Sequence, residues 1–283
     1  MSETPPSCRR LLICADDYAI SPAVSAGIRE LALAGRLSAT GVMTCMRHWP
    51  TEAPALRPLA ERVAVGLHFT LTDQAPLGPM PVLAPAGRLP AIARLVTLGL
   101  FRALPGAEIA AELDRQLDAF EAHFGAPPDF IDGHQHVHLF PGIWPLVLAV
   151  FGRRLDPRRC WLRDCSDAGL WRRPDAVKAA IIDRFGRALS CAAKARGIRC
   201  NRGFSGFYDI RRQSLGAALP AMLAGAGDGH LLMVHPGHVD EALRACDSLT
   251  EPRQAEWAFL AGPELPACLE RLGLAIAGRE GPP

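Results

Sequence analysis

Short apolar runs alternate along the chain with stretches whose apolar residues recur every three or four positions. "RLLICA" at Arg10–Ala15, "LSATGVMTCM" at Leu37–Met46 and "VAVGLHFTL" at Val63–Leu71 have the length and composition of strands. A helix is predicted from Pro22 to Ala34, with Ser21 as its cap and Pro22 where a missing N–H costs nothing. Residues 107–124 form a long amphipathic helix by the same spacing rule. "PDFIDGHQHVHLF" then reads as a strand running into a polar loop, "PGIWPLVLAVFGRR" as a helix and "CWLRDCSD" as a strand. Further helices are predicted over 175–195 and near Ala217–Ala224, separated by a short strand in "IRCNRGFSGF". "HLLMVHPG" is a strand ending in His235, and the tail from Arg253 reads as one or two helices and a last short strand.

Repeated strand-then-helix units imply parallel strands with helices outside, and about seven or eight of them close into a barrel more economically than they form an open sheet. The expected fold class is therefore α/β, a closed or nearly closed parallel (β/α) barrel in one domain over residues 1–283. Residues 74–105, rich in Pro, Gly and Ala, are expected to be a loop-rich insertion with short helices beside the site.

Polar residues interrupt this pattern at strand ends, where β/α barrels collect their chemistry. Asp16 and Asp17 end the first strand, and Ser21 with Pro22 already supplies a cap, which leaves both acids free of that role. His68 lies in the third strand, while Asp132, His134, His136 and His138 crowd the end of the fourth. Arg163 and Asp164 end the fifth, and His235, followed by His238, ends the last well-defined one. Six of the nine histidines fall in these segments, which with the acid pair points to a bound metal ion. An extended "HQHVH" would put His134, His136 and His138 on one face; a turn after Gly133 would leave only the first aimed at the site. Asp132 or a remaining histidine could then orient a ligand through its second ring nitrogen.

Composition narrows the partners. The 283 residues carry 31 Lys plus Arg against 29 Asp plus Glu, so no basic footprint for nucleic acid exists. No apolar run is long enough to span a membrane, and the run after Arg9–Arg10 is too short for a signal peptide, which argues for the cytoplasm. Nine cysteines with no C-x-x-C pair signal neither a disulfide framework nor a zinc ribbon. Cys14 and Cys165 lie near the active face, but no base is committed to either.

The segments "ADDYAIS", "GLHFTLT", "DGHQHVHLFP", Leu162–Arg163, "GFSGFY" and "VHPGHVD" occur in the order found in the YdjC-like carbohydrate deacetylases. That family includes chitooligosaccharide deacetylases and proteins associated with hopanoid biosynthesis. The resemblance covers residues from about 10 to 275 and implies a distorted β/α barrel related to NodB-type deacetylases. It also implies metal-dependent removal of an acetyl group from an N-acetylated amino sugar, either a chitooligosaccharide or an N-acetylglucosaminyl glycolipid. By this resemblance Asp17, His68 and His134 hold one divalent ion, Mg or Zn, with Mn, Co or Ni as further candidates. Asp16 corresponds to the general base, His235 to the general acid, and Arg163 to an arginine near the base. A homodimer is compatible with the family. This chain departs from it at Tyr18–Ala19, where Phe-Gly is usual. Phe204, Phe207, Tyr208 and Trp144 are candidates for a sugar-stacking surface, or ordinary core aromatics.

Three rival readings use the same residues. A phosphoesterase or amidohydrolase would also need metal; a glycosidase would pair Asp16 with another acid and need none. A non-catalytic sugar-binding relative would have little use for a base beside a metal site.

Overall fold

The computed structural model describes residues 8–166 and 176–282. The predicted helix start at Asp175 and the end of the fifth strand segment at Asp167 lie outside the described residues, as do residues 1–7.

The chain begins with β1 (Arg9–Tyr18), α1 (Pro22–Leu33), β2 (Ala39–Val42), α2 (Trp49–Leu56), β3 (Ala64–Phe69), α3 (Ile92–Leu100) and α4 (Gly106–Phe124). It continues with β4 (Phe130–Gly133), α5 (Trp144–Arg154), β5 (Trp161–Leu162), α6 (Ala176–Lys194), β6 (Arg199–Cys200) and β7 (Phe204–Ser205). The last elements are α7 (Leu215–Met222), β8 (His230–Val234), α8 (Glu241–Cys246), α9 (Glu251–Ala261), α10 (Glu264–Arg271) and β9 (Leu274–Ile276). All strand pairs are parallel, in the order β6-β5-β4-β3-β2-β1-β8-β7. β9 pairs with the first residues of β1, from Arg9 to Leu11. The result is a distorted barrel: β6 and β7 end the path and are not paired with each other, so a seam runs between them.

The buried strands explain why the sequence reads as continuous apolar runs. β2, β3, β4 and β8 are buried at every position, as parallel strands with helices outside require. Ser21 caps α1 by accepting from the Val24 N–H, with Pro22 first in the helix, as the sequence predicts. α4 stops at Gly125, whose φ of 89° suits glycine.

Two elements differ from the sequence reading. The second strand ends at Val42: the Met43 N–H makes the last bond to β1, at the Tyr18 carbonyl, and the chain then turns, with the Met46 N–H donating back to the Met43 carbonyl. The run to Met46 is apolar because that turn is buried, not because it is extended. It leads into α2, which the sequence reading misses because Pro50 and Pro54 disguise it. Pro50 sits in the first turn, where its missing N–H is harmless. The ring of Trp49 stacks on Phe120 with centroids 5.7 Å apart, fastening α2 to α4.

Candidate active site

A β-bulge explains how neighbouring acids reach one place. Along β1, Ala15 pairs with Thr40 but Tyr18 pairs with Val42, so β1 carries one extra residue there. Asp17 takes it up with a φ of 69°. In a regular strand adjacent side chains point to opposite faces; the left-handed residue breaks that alternation. Ala19 is also left-handed, with a φ of 74°, at the position where the resembling family has glycine. Next to it, the Tyr18 hydroxyl donates to the Glu52 carbonyl and accepts from Arg29, so the tyrosine is a structural anchor away from the site.

The two acids have different partners. Asp16 is gripped by Arg163 through two hydrogen bonds of 2.6 and 2.7 Å, both groups buried. The same guanidinium meets Asp132 at 2.5 Å and Cys14 Sγ at 3.0 Å. Burial would raise the Asp16 pKa, but Arg163 and then His68 overcome it and hold the carboxyl well below the carboxylate range. Asp17 turns Oδ1 toward His134 Nδ1 at 2.9 Å and His68 Nε2 at 3.3 Å. Its Oδ2 accepts from Arg253 at 2.6 Å, and Arg253 also reaches Asp247 at 2.6 Å. Burial again works against ionisation, and Arg253 with His134 again wins.

The β3–β4 register pairs His68 with Asp132, and their side chains meet at 2.7 Å between Nδ1 and Oδ1. Burial alone would lower the pKa of this imidazole, yet Asp132 and Asp16 raise it to about 10. The acids around His68 therefore call for a positive charge there. A divalent ion would supply it: one oxygen of Asp17 and one nitrogen each of His68 and His134 lie within 4.8 Å of one another. That donor set could hold Zn, Mn, Fe, Co or Ni, and suits Mg less well. Three protein ligands would leave open positions. Cys14, Asp16 and Asp132 gather as closely, but Arg163 already provides that group's cation.

The other histidines separate. The chain turns after Gly133 into a short 3-10 helix over His134–Leu139, with φ of 52° at Gln135 and 60° at His136, so the extended alternative does not hold. His136 packs edge-on to Phe204 and Phe207 and lies 3.5 Å from Cys165 Sγ; burial pushes its pKa well down. His138 points back to the Arg163 carbonyl at 3.1 Å, and burial lowers its pKa to about 4. His238 is not at the site; it tilts against Trp257 and bonds to Glu30. Asp164 likewise turns away, accepting from the Ser166 N–H.

Asp16, His68, His134 and His235 line one cavity of roughly 1250 Å³, and His136 lines it beside Phe207. Its walls are mainly apolar, from Ile92, Val96 and Leu100 of α3, Ile181 and Phe185 of α6, and Phe207. Tyr208 lines it too, whereas Phe204 is fully buried behind Phe207 and Trp144 packs against the core.

Two charged groups were missed in the sequence. Arg253 and Glu256 are three apart on α9, hence on one face, and both are buried. Glu256 accepts from the His235 backbone N–H at 2.5 Å and from the Tyr208 hydroxyl. In sequence they look like surface charges of an amphipathic helix, and only packing reveals their partners.

Comparison with known proteins agrees with this arrangement. The model of the YdjC-like protein family matches residues 10–271. A chitooligosaccharide deacetylase of Enterobacter sp. (strain 638) is 32% identical over 272 residues, 94% of this chain and 96% of that protein. A carbohydrate deacetylase of Mus musculus is 30% identical over 255 residues, covering 81% of this chain and 78% of the other. A crystal structure from Enterococcus faecalis V583, named for cellobiose-phosphate cleavage, shares the fold with a TM-score of 0.72 at 23% identity, covering 96% of this chain and 97% of that one. Motif order, site and full-length similarity concur: the chain belongs to the YdjC-like family, the family of these carbohydrate deacetylases.

Proposed function

We propose that the protein hydrolyses the acetamide of an N-acetylated amino sugar, using a divalent ion held by Asp17, His68 and His134. The observation that carries this reading is the division of labour between adjacent acids. Asp17 faces two imidazoles, while Asp16 faces the cavity with its orientation fixed by Arg163. A bound ion would polarise the acetyl carbonyl and make water more acidic. The residues do the rest. Arg163 keeps Asp16 ionised and aimed, so that it takes the proton of the attacking water. His235, at the cavity edge with its backbone tied to Glu256, gives a proton to the departing amine nitrogen as the C–N bond breaks. Asp132 fixes the His68 ring through Nδ1 and leaves Nε2 directed to Asp17.

The predominance of apolar side chains such as Val96, Phe140 and Ile182 favours a sugar joined to an apolar group, an N-acetylglucosaminyl glycolipid, while Gln135 and Arg184 on the same lining could hydrogen-bond a second sugar. The names of the relatives favour the second reading, a chitooligosaccharide. Acetate release from both substrate types, with and without a chelator and with added Zn, Mn, Co or Mg, tests the proposal. Acetate from the glycolipid that stops on chelation is the expected result. Turnover of phosphate esters instead, or chain cleavage that ignores chelation, refutes it.

A further inference from the structure

Residues 74–105 have a surface unlike the rest of the protein. Among the described residues, six large hydrophobic side chains are exposed, and four of them lie in this span: Leu77, Val82, Leu100 and Phe101, the last 80% exposed. A fifth, Ile181, lines the same cavity as Leu100. The only charged residues of the span are Arg88, Arg94 and Arg102, all exposed, and it contains no Asp or Glu. None of the three guanidinium groups has a carboxylate partner among the described residues. Elsewhere basic and acidic side chains are interspersed, and several arginines are neutralised, as where Arg153 and Arg154 share Asp114.

An ordinary solvated surface mixes both signs and keeps large apolar side chains inside. The acids that touch the span, Glu108 and Glu112 of α4, are turned to its backbone N–H groups at Leu77, Val82 and Leu83. Apolar tips with arginines in the same span suit the boundary between water and an anionic lipid layer. The side chains enter the acyl edge and the guanidinium groups meet phosphates. A symmetric dimer through this face would set each net-positive patch against its own copy, so like charges would oppose one another. No helix of the described residues is long and apolar enough to cross a membrane, so attachment would be peripheral.

We propose that the 74–105 insertion docks the protein on the surface of an anionic phospholipid bilayer, through Val82, Leu100 and Phe101 with Arg94 and Arg102. Leu100 is both exposed and a lining residue, so the cavity opens beside the docked face.

Flotation of the full chain with phosphatidylcholine vesicles, with or without phosphatidylglycerol, tests this. Binding is expected to the anionic vesicles, weaker binding to the neutral ones, and release as salt rises. Two double variants, Val82→Ser with Phe101→Ser and Arg94→Glu with Arg102→Glu, should each lower binding about tenfold or more. Their thermal midpoints should stay unchanged, because all four side chains are exposed. Absence of binding to anionic vesicles overturns the proposal, as does binding that neither variant weakens. A solution dimer that Phe101→Ser dissociates, without vesicle binding, also overturns it and assigns the face to a second copy. None of these readouts needs turnover, so failure of the deacetylase reading leaves the test standing.

Discussion

The floor and the wall of the cavity are built by opposite rules. At the floor, charges are matched within a few ångströms. Arg163 spans Asp16 and Asp132, Arg253 spans Asp17 and Asp247, and His68 lies between acids. Along the wall, α3 and α6 contribute Val96, Leu100, Ile181 and Phe185, which are held by no directional bonds. The floor comes from strand ends in a parallel sheet; the wall comes largely from an insertion and a helix. Reaction chemistry needs fixed geometry, whereas an apolar contact tolerates changes of shape. The two regions should therefore respond differently to substitution.

The floor should break first and most severely. Asp16→Asn should lower kcat by about 10²–10⁴-fold, the usual contribution of a positioned base, while bound metal by elemental analysis stays at the wild-type level. Loss of the metal together with activity would assign Asp16 a ligand role instead. Arg163→Met should cost about 3–5 kcal/mol in denaturant unfolding, since it strands two buried carboxylates. A loss below about 1 kcal/mol would show that the floor is more solvated than its burial implies.

Acidity sharpens the contrast, because the acids and the His68 imidazole of the floor strongly shift one another's pKa. The folded His68 pKa is raised from 6.5 to about 10, so its proton stabilises the metal-free fold fully below pH 6.5. That stability should fall as pH rises from 6.5 through about 10. A divalent ion replaces the proton, so Tm with saturating metal should vary less over the same interval and metal binding should release protons in calorimetry. Asp16 and Asp17 have the opposite sign: their lowered values give stability above the usual carboxylate range that is lost only in strong acid.

At the wall, Val96→Asn should raise KM for a long-chain N-acetylglucosaminide about tenfold, from lost apolar burial, with little change for the free N-acetyl sugar. An equal change for both substrates would mean that the sugar itself rests on α3. The smallest effect belongs to the residue that follows β1. Ala19→Gly relieves a left-handed alanine and should raise stability by about 1 kcal/mol in urea unfolding.

How much of this was legible depended on the range of the interaction. The strands and most helices follow from local periodicity, and the histidines and acids stood out because polar residues ended apolar runs. The path of "HQHVH" was not legible, since either extension or a turn satisfied the spacing; the positive φ at Gln135 and His136 decided it. His238 was grouped with His235 among the strand-end histidines, but lies beyond Pro236–Gly237 and faces Glu30 instead. Arg253 and Glu256 were invisible because their partners, Asp17 and His235, are 236 and 21 residues away. Prolines hid α2, and the bulge that aligns Asp16 with Asp17 depends on the register against β2.

The position of β1 has a consequence for how the molecule opens. It is flanked by β8 on one side and by β2 and β9 on the other, so its amides should exchange with deuterium only in the rarest, global openings. The reactive carboxylates ride on that slowest unit, whereas α3 hangs outside the sheet and can fluctuate locally. Substrate preference could thus drift through the outer helix over generations while the hydrolytic apparatus keeps its alignment.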